Sequence, residues 1–244
     1  MEYLGGVLMS GQQIETTSPR ILIVDDHPVV RQGLKLALGQ AGFTVCGEAE
    51  GLADAMKILA SAKPDLILAD LDLEGASGID LIKAVKEAHP ELPVLILSMH
   101  DEDAYAERAL RAGARGYMMK HAPPEKLAEG VRQALGGEIV LSENMKRKIL
   151  MGLAGRHEPA AATAIDKLTD RELEVFRLLG EGMTTRRIAE RLAISVKTVE
   201  AHIAHLKSKL GAESGRELQH RAYAWSSGGK PVPGQDDRPD PSLG

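Results

Sequence analysis

Aromatic side chains are scarce. Two Phe, four Tyr and one Trp make up 3% of the 244 residues. Any core must therefore be built from Leu, Ile, Val, Ala and Met. Cysteine is scarcer still. The single Cys46 excludes an intrachain disulfide and a cysteine-based metal site. In the apolar run Phe43-Thr44-Val45-Cys46 it reads as a small buried hydrophobe rather than a reactive thiol. No apolar run approaches the length of a membrane span. The stretch Met1 to Thr17 lacks the basic start of a secretory signal. A cytoplasmic protein with no membrane contact is expected. Residues 1–18 read as a disordered leader, with Met9 as a second candidate start.

Hydrophobic residues at 43% and charged residues at 27% are ordinary for a globular protein. The net charge of −5 is unevenly divided. Residues 19–136 carry 13 Lys and Arg against 18 Asp and Glu, whereas residues 164–225 carry 11 against 9. An acidic front and a mildly basic back suggest different partners. In the front half an apolar run followed by a helical pattern recurs five times. The runs are Ile21-Leu22-Ile23-Val24, Phe43-Thr44-Val45-Cys46, Leu66-Ile67-Leu68-Ala69, Val94-Leu95-Ile96-Leu97 and the weaker Gly116-Tyr117-Met118-Met119. Runs that are aliphatic throughout, without alternation, fit parallel strands covered on both faces. A five-stranded doubly wound α/β domain over residues 19–136 is predicted. Residues 137–165 read as a connector, with a short helix at Ser142 to Met151 and a flexible Ala-, Gly- and Pro-rich linker from Gly152. Residues 166–225 carry four helical patterns and no strand. Residues 226–244, with four Pro, four Gly and three Ser, read as a disordered tail.

In open parallel sheets ligands bind beyond the carboxyl ends of the strands. Asp25 and Asp26 follow the first run, Asp70 the third, Ser98 the fourth and Lys120 the fifth. Three clustered carboxylates repel unless a cation or a proton joins them. For an oxygen-lined site with open positions Mg²⁺ is the natural choice. A carboxylate held against Mg²⁺ can attack phosphorus and form an acyl phosphate, with the lysine and hydroxyl contacting the phosphoryl oxygens. A single Asp in this position is more often a turn or cap residue; five such groups at strand ends favour a site.

The segments Val24-Asp25-Asp26-His27-Pro28, Asp65 to Leu71 and Gly113 to Lys120 resemble the receiver signatures of two-component response regulators. That resemblance covers the whole front domain. It implies that Asp70 accepts a phosphoryl group from a sensor histidine kinase. It further implies that Asp26, Asp70 and the backbone carbonyl of Asp72 bind Mg²⁺, and that Asp25 acts through water. Ser98 and Lys120 would contact the phosphoryl group, and Tyr117 matches the aromatic that rotates on activation. The chain departs from the family at Glu74-Gly75, where Pro-Gly is usual, and at Asp72, which is more acidic than the common residue. Both departures add negative charge beside the site. Two other readings compete for Asp70. A calcium loop starting at Asp70 would need glutamate at its twelfth position, which is Leu81. A haloacid dehalogenase-like phosphatase would use the Asp70-x-Asp72 pair, but on its first strand and with a later acidic motif that has no counterpart here.

In the back half, Thr169 with Glu172 three residues on forms a capping-box pattern. A short helix runs from Thr185 to Leu192, and Ala193-Ile194 makes a tight turn. A third helix starts at the Ser195 cap and ends at Gly211. On that helix Val199, Ile203, Leu206 and Leu210 form a buried stripe. Its other face shows Lys197, Glu200, Ala201, Ala204, His205 and Ser208. Small Ala201 and Ala204 suit close approach to bases, while Lys197, Thr198 and Lys209 suit phosphates. The residues alone leave this face open between an ordinary solvated surface and a groove reader. The match of Leu168-Thr169-x-Arg171-Glu172, Ile188-Ala189-x-x-Leu192 and Ser195 to Ile203 resembles the LuxR-type helix-turn-helix and favours the second reading. A receiver joined to such a domain resembles the NarL/FixJ class. It implies a regulator, not an enzyme, that binds double-stranded DNA and dimerises through the final helix, about Ser214 to Trp225. RNA polymerase is a candidate partner. A receiver-like protein that binds DNA without phosphorylation is the remaining alternative. Because the linker is read as flexible, control is expected through docking, with the receiver covering either the recognition helix or the dimerising helix.

Overall fold

A computed structural model describes residues 18–153 and 164–226. The expected leader, the tail beyond Ser226 and residues 154–163 of the linker lie outside the described residues. In the first half strands and helices alternate. They are β1 (Arg20–Val24), α1 (Pro28–Gln40), β2 (Thr44–Ala49), α2 (Leu52–Ala62) and β3 (Leu66–Ala69). A small hairpin, β4 (Asp72–Leu73) and β5 (Ala76–Ser77), comes next. Then follow α3 (Gly78–Ala88), β6 (Val94–Ser98), α4 (Glu102–Ala112), β7 (Gly116–Met119) and α5 (Pro124–Leu135).

The five main strands form one parallel sheet in the order β2-β1-β3-β6-β7. The chain reverses its direction of travel across the sheet between β1 and β3, which is where such sheets place their ligands. The unbroken aliphatic runs have the expected cause: β3 and β6 are buried at every position. Ile21, Ile23, Leu66 and Leu68 pack towards Leu38, Leu127 and Val131 on one face. Leu22, Val24, Ile67 and Ile96 pack towards Leu59, Ile82, Val85 and Ala106 on the other. Strand β2 is longer than the four-residue run suggests. It carries a bulge, in which Ile21 pairs with Val45 and Leu22 with Gly47, so that Cys46 is the extra residue. On this edge strand Cys46 is half-buried rather than fully enclosed. Burial still raises its thiol pKa above the ordinary value, against the pull of Arg20.

After α5 the chain turns back along the sheet. Val140 accepts from Tyr117 N at 2.8 Å and donates to Arg115 O at 3.0 Å, a one-residue parallel extension beside β7. The connector helix α6 (Glu143–Leu153) begins where expected. Its Met145 is buried, and Lys148 pairs with Asp103 of α4 at 3.5 Å. The far end of the linker is not free. Ala164 and Ile165 are buried, and the Arg108 guanidinium donates to the Ile165 and Leu168 carbonyls. The expectation of flexibility therefore fails at 164–165, where apolar side chains dock on the first half.

The second half is all-helical: α7 (Asp170–Gly180), α8 (Thr185–Arg191), α9 (Val196–Leu210) and α10 (Gly215–Ser226). Thr169 and Glu172 form the reciprocal cap, Ser195 accepts from Thr198 N, and Gly211 closes α9 in the left-handed region. Phe176, Val199, Leu206, Leu210 and Leu218 form its core, which is continuous with the α3–α4 face of the sheet domain. Among the described residues no helix is long and apolar enough to cross a membrane.

Gly78 sets the spacing between α3 and the loop after β3. A Cβ there would lie 2.4 Å from Asp70 O and 2.8 Å from Leu71 Cα. Gly78→Ala should force that backbone apart and cost about 1–3 kcal/mol. Gly33→Ala on exposed α1 meets nothing within 4 Å and should instead stabilise by up to about 1 kcal/mol. Thermal unfolding of both variants, measured against the parent, checks the contrast.

Candidate functional site

Four strand ends build the acidic pocket. Asp25 and Asp26 leave β1, Asp70 leaves β3, Ser98 ends β6 and Lys120 follows β7. Adjacent strands hold them in register: Asp70 N donates to Val24 O at 2.8 Å, and Lys120 N donates to Ser98 O at 2.7 Å. Asp25, Asp70 and Ser98 are buried. The Lys120 ammonium lies 2.6 Å from Asp25 Oδ2 and 2.7 Å from Asp70 Oδ2. Burial would lower the Lys120 pKa, but the two carboxylates together raise it. Asp70 moves the other way. Burial pushes its carboxyl up to about 6 although Lys120 donates to it, and Asp25 and Asp72 add repulsion.

The donor set fits a hard divalent cation. Carboxylate oxygens of Asp25, Asp26 and Asp70 and a ring nitrogen of His27 lie within 4.8 Å of one another. Asp26 Oδ1 is buried and accepts no hydrogen bond. His27 Nδ1 approaches it at 2.5 Å without hydrogen-bond alignment. An oxygen-rich cluster with an orphaned acceptor is what Mg²⁺ would complete. His27 was not singled out from the sequence; its adjacency to the Asp25-Asp26 pair is the signal.

Tyr117 is buried, and its hydroxyl donates to His100 O at 2.8 Å. Burial raises its phenolic pKa, although Ser98 hydrogen-bonds to it. The Asp72 side chain turns away from Asp70. It meets His100 Nε2 at 2.5 Å and accepts from Arg177 at 2.7 Å. Burial alone would raise its pKa, but His100, Arg177 and Arg191 bring it below the ordinary carboxylate value. Glu74 and Gly75 are the two turn residues of the β4–β5 hairpin, with Gly75 at φ +77°. Arg177 was missed from the sequence, although a cation inside the apolar run Val175-Phe176-Arg177-Leu178 is itself a signal.

On the second half Lys197, Thr198, Glu200, Ala201, Ala204 and His205 all lie exposed on α9. Thr198 Oγ1 shares a hydrogen bond with Ser195 Oγ at 2.8 Å. Lys209 differs from the others: its ammonium is held by buried Glu172 at 2.6 Å, which leaves Lys197 as the less encumbered cation of the two. Burial would raise the Glu172 pKa, but Lys209 and the Thr169 cap lower it. His205 stands 3.8 Å from the same carboxylate. His202 is half-buried, and burial lowers its pKa. Arg187, exposed on α8, adds a cation that the sequence reading did not name.

The domains touch through α7, α8 and the end of α10. Lys83 and Arg108 pair with Asp170 at 2.8 and 3.3 Å, and the Trp225 ring lies 6.3 Å from that of Tyr105. Among the described residues none of these contacts involves the face of α9 that carries Lys197, Ala201 and Ala204, and that face is exposed. Of the two docking arrangements expected, the one found touches the end of α10.

Residues 21–132 match the response regulator receiver domain model, and residues 166–222 match that of the bacterial regulatory proteins of the luxR family. The chain is 36% identical over 204 residues to the oxygen regulatory protein NreC of Staphylococcus aureus, a match covering 82% of this chain and 94% of that protein. Among solved structures it resembles RcsB from Salmonella enterica serovar Typhimurium bound to promoter P1flhDC in the presence of phosphomimetic BeF3⁻. That match has a TM-score of 0.63 and 26% identity, and covers 85% of this chain and all of that one. A LuxR-family two-component response regulator from Aurantimonas sp. SI85-9A1 matches with a TM-score of 0.53 and 30% identity, over 57% of this chain and 99% of that one.

The raised pKa of Asp70 gives a stability prediction with a definite sign. Its contribution to folding is greatest below the unfolded carboxyl pKa near 4 and is lost as pH rises to about 6. Above that pH, in EDTA, Asp70→Asn should be more stable than the parent by about 1–3 kcal/mol. Excess Mg²⁺ should narrow the gap. Chemical unfolding at pH 5 and pH 8, with and without Mg²⁺, measures it; a variant less stable than the parent in EDTA would contradict the charge argument.

Proposed function

The chain belongs to the two-component response regulators of the NarL/FixJ class, and on that premise we propose that Asp70 is the phosphoacceptor through which it controls transcription. The observation that carries this reading is the meeting of Asp25, Asp26, Asp70, Ser98 and Lys120 at one edge of the sheet. An Asp70 carboxylate oxygen attacks the phosphorus of a phosphohistidine on the sensor kinase. The new O–P bond forms as the P–N bond breaks, and its electron pair returns to the imidazole. Lys120, already against Asp70, moves its charge to the phosphoryl oxygens, and the Ser98 hydroxyl donates to one of them. Mg²⁺, held by Asp26, Asp70 and the Asp72 carbonyl, with Asp25 acting through water, would neutralise the same oxygens. A phosphatase would need Asp72 free to handle a proton beside Asp70. Its engagement with Arg177 and His100 argues against that alternative.

The output is DNA binding by α9. Lys197 and Thr198 contact phosphates, Ala201 and Ala204 approach base edges, and Glu200 and His205 flank them. Lys209 reaches a phosphate only by leaving Glu172. Dimerisation uses α10, whose Tyr223 is exposed on the side away from the core, and RNA polymerase engages the DNA-bound dimer.

Incubation with a small phosphodonor and Mg²⁺ should add one phosphoryl group, and Asp70→Asn should abolish the labelling. Labelling that survives in that variant would move the acceptor elsewhere. On DNA, Lys197→Ala should weaken binding to all sequences and lower the salt slope by about one unit. Lys209→Ala should change the slope less, because Glu172 already neutralises it. Equal losses of slope would show that Lys209 is released on binding. Titration of one duplex at several salt concentrations measures both.

A further inference from the structure

Two arginines of the DNA-binding half reach the acidic pocket of the receiver. Arg191, the last residue of α8, brings its guanidinium to 3.6 Å from Asp26 Oδ2. Its backbone carbonyl accepts the Gly75 N–H at 3.0 Å. Arg177 donates to Asp72 Oδ1 at 2.7 Å and pairs on its other side with Glu181. Arg177 is only 5% exposed, so docking holds its charge out of water against two carboxylates. The helix-turn-helix turn also lies beside the hairpin after Asp70: a Cβ on Gly75 would lie 3.8 Å from Ala193 Cβ, at van der Waals distance. The contact thus joins backbone to backbone and charge to charge, on two of the segments at the pocket: the one after β1 and the one after β3.

Asp26 is the carboxylate that both a cation and the DNA-binding half can use. One of its oxygens accepts no hydrogen bond, and the other faces Arg191. A divalent ion seated there would add two positive charges within a few ångströms of a guanidinium, and in a partly buried site that repulsion is weakly screened. We propose that Arg191 is an intramolecular competitor for the divalent cation, so that docking of the DNA-binding half and cation binding at Asp26 oppose each other. The proposal rests on reading Asp25, Asp26 and Asp70 as the cation site. Linkage makes the antagonism reciprocal: the factor by which docking weakens the cation is the factor by which the cation weakens docking. The DNA-binding half then does more than receive a signal. It sets the cation concentration at which the pocket becomes ready for phosphoryl transfer.

The test is calorimetric titration of Mg²⁺ into the full chain, Arg191→Gln and Arg186→Gln. Arg186, exposed on the same helix and paired with Glu190 at 3.1 Å, controls for the loss of a charge. Arg191→Gln should bind Mg²⁺ about 5-fold or more tightly than the parent, and Arg186→Gln should match the parent. A second readout needs no change in the arginine. The single tryptophan, Trp225, sits between Tyr105 of the receiver and Phe176, with ring centroids at 6.3 and 5.7 Å. Mg²⁺ should shift its emission in the parent, with the same midpoint as the calorimetry, and leave it unchanged in Asp26→Asn. Equal or weaker Mg²⁺ affinity in Arg191→Gln overturns the competition while leaving the cation site intact. No Mg²⁺ binding by parent or variant overturns the cation site as well. A Trp225 shift that persists in Asp26→Asn also refutes the proposal, because the cation would then act elsewhere.

Discussion

One ammonium, that of Lys120, stands between two buried carboxylates, Asp25 and Asp70, with Asp26 beside them. The pocket therefore holds more negative charge than it can neutralise from within. That shortage accompanies the push of Asp70 towards protonation by burial and an Asp26 oxygen that accepts no hydrogen bond. It also accompanies the arrival of arginines from a domain more than a hundred residues away in the sequence. A buried ion pair is weak evidence for stability. Here the arrangement is better understood as a site kept short of cations, whose deficit different partners can fill.

Three of the scarce aromatic residues, joined by His100, fall along the seam between the domains. His100 faces Tyr105, Tyr105 faces Trp225, and Trp225 faces Phe176, with neighbouring ring centroids 5.5–6.3 Å apart. The row starts two residues beyond Ser98 and ends in the core of the helical domain. Tyr117 is hydrogen-bonded to the backbone of His100. A change at the acidic pocket that moves Ser98 or Tyr117 would therefore act on side chains that continue, ring to ring, to the last turn of α10. The row is a packed route between two sites.

Much of this was legible in the sequence because it was written in local patterns. Unbroken aliphatic runs marked the parallel strands, and the residues just beyond them had to share one edge, which brought Asp25, Asp70, Ser98 and Lys120 together before any contact was known. Caps at Thr169, Ser195 and Gly211 were equally local. What was not legible depends on residues distant in the chain. The bulge that takes Cys46 out of the ladder needs the partner strand. The hairpin after Asp70 and the turning of the Asp72 side chain need Arg177 and His100. The pairing of Lys209 with Glu172, and the exposure of the Lys197 and Ala201 face of α9 in the docked form, depend on how whole helices are placed.

The one-residue pairing at Val140 has a consequence outside signalling. A sheet that ends in a bare strand offers a row of free amide and carbonyl groups on which another chain can polymerise. Here the polypeptide folds back and occupies part of that row itself, at Arg115 and Tyr117. The opposite margin, β2, is broken by its bulge and carries Glu48, paired with Lys35 at 2.7 Å. Flat extension of the sheet is thus discouraged at both margins by different means. A second copy of the protein therefore meets no fully open, regular strand at either margin on which to extend the sheet.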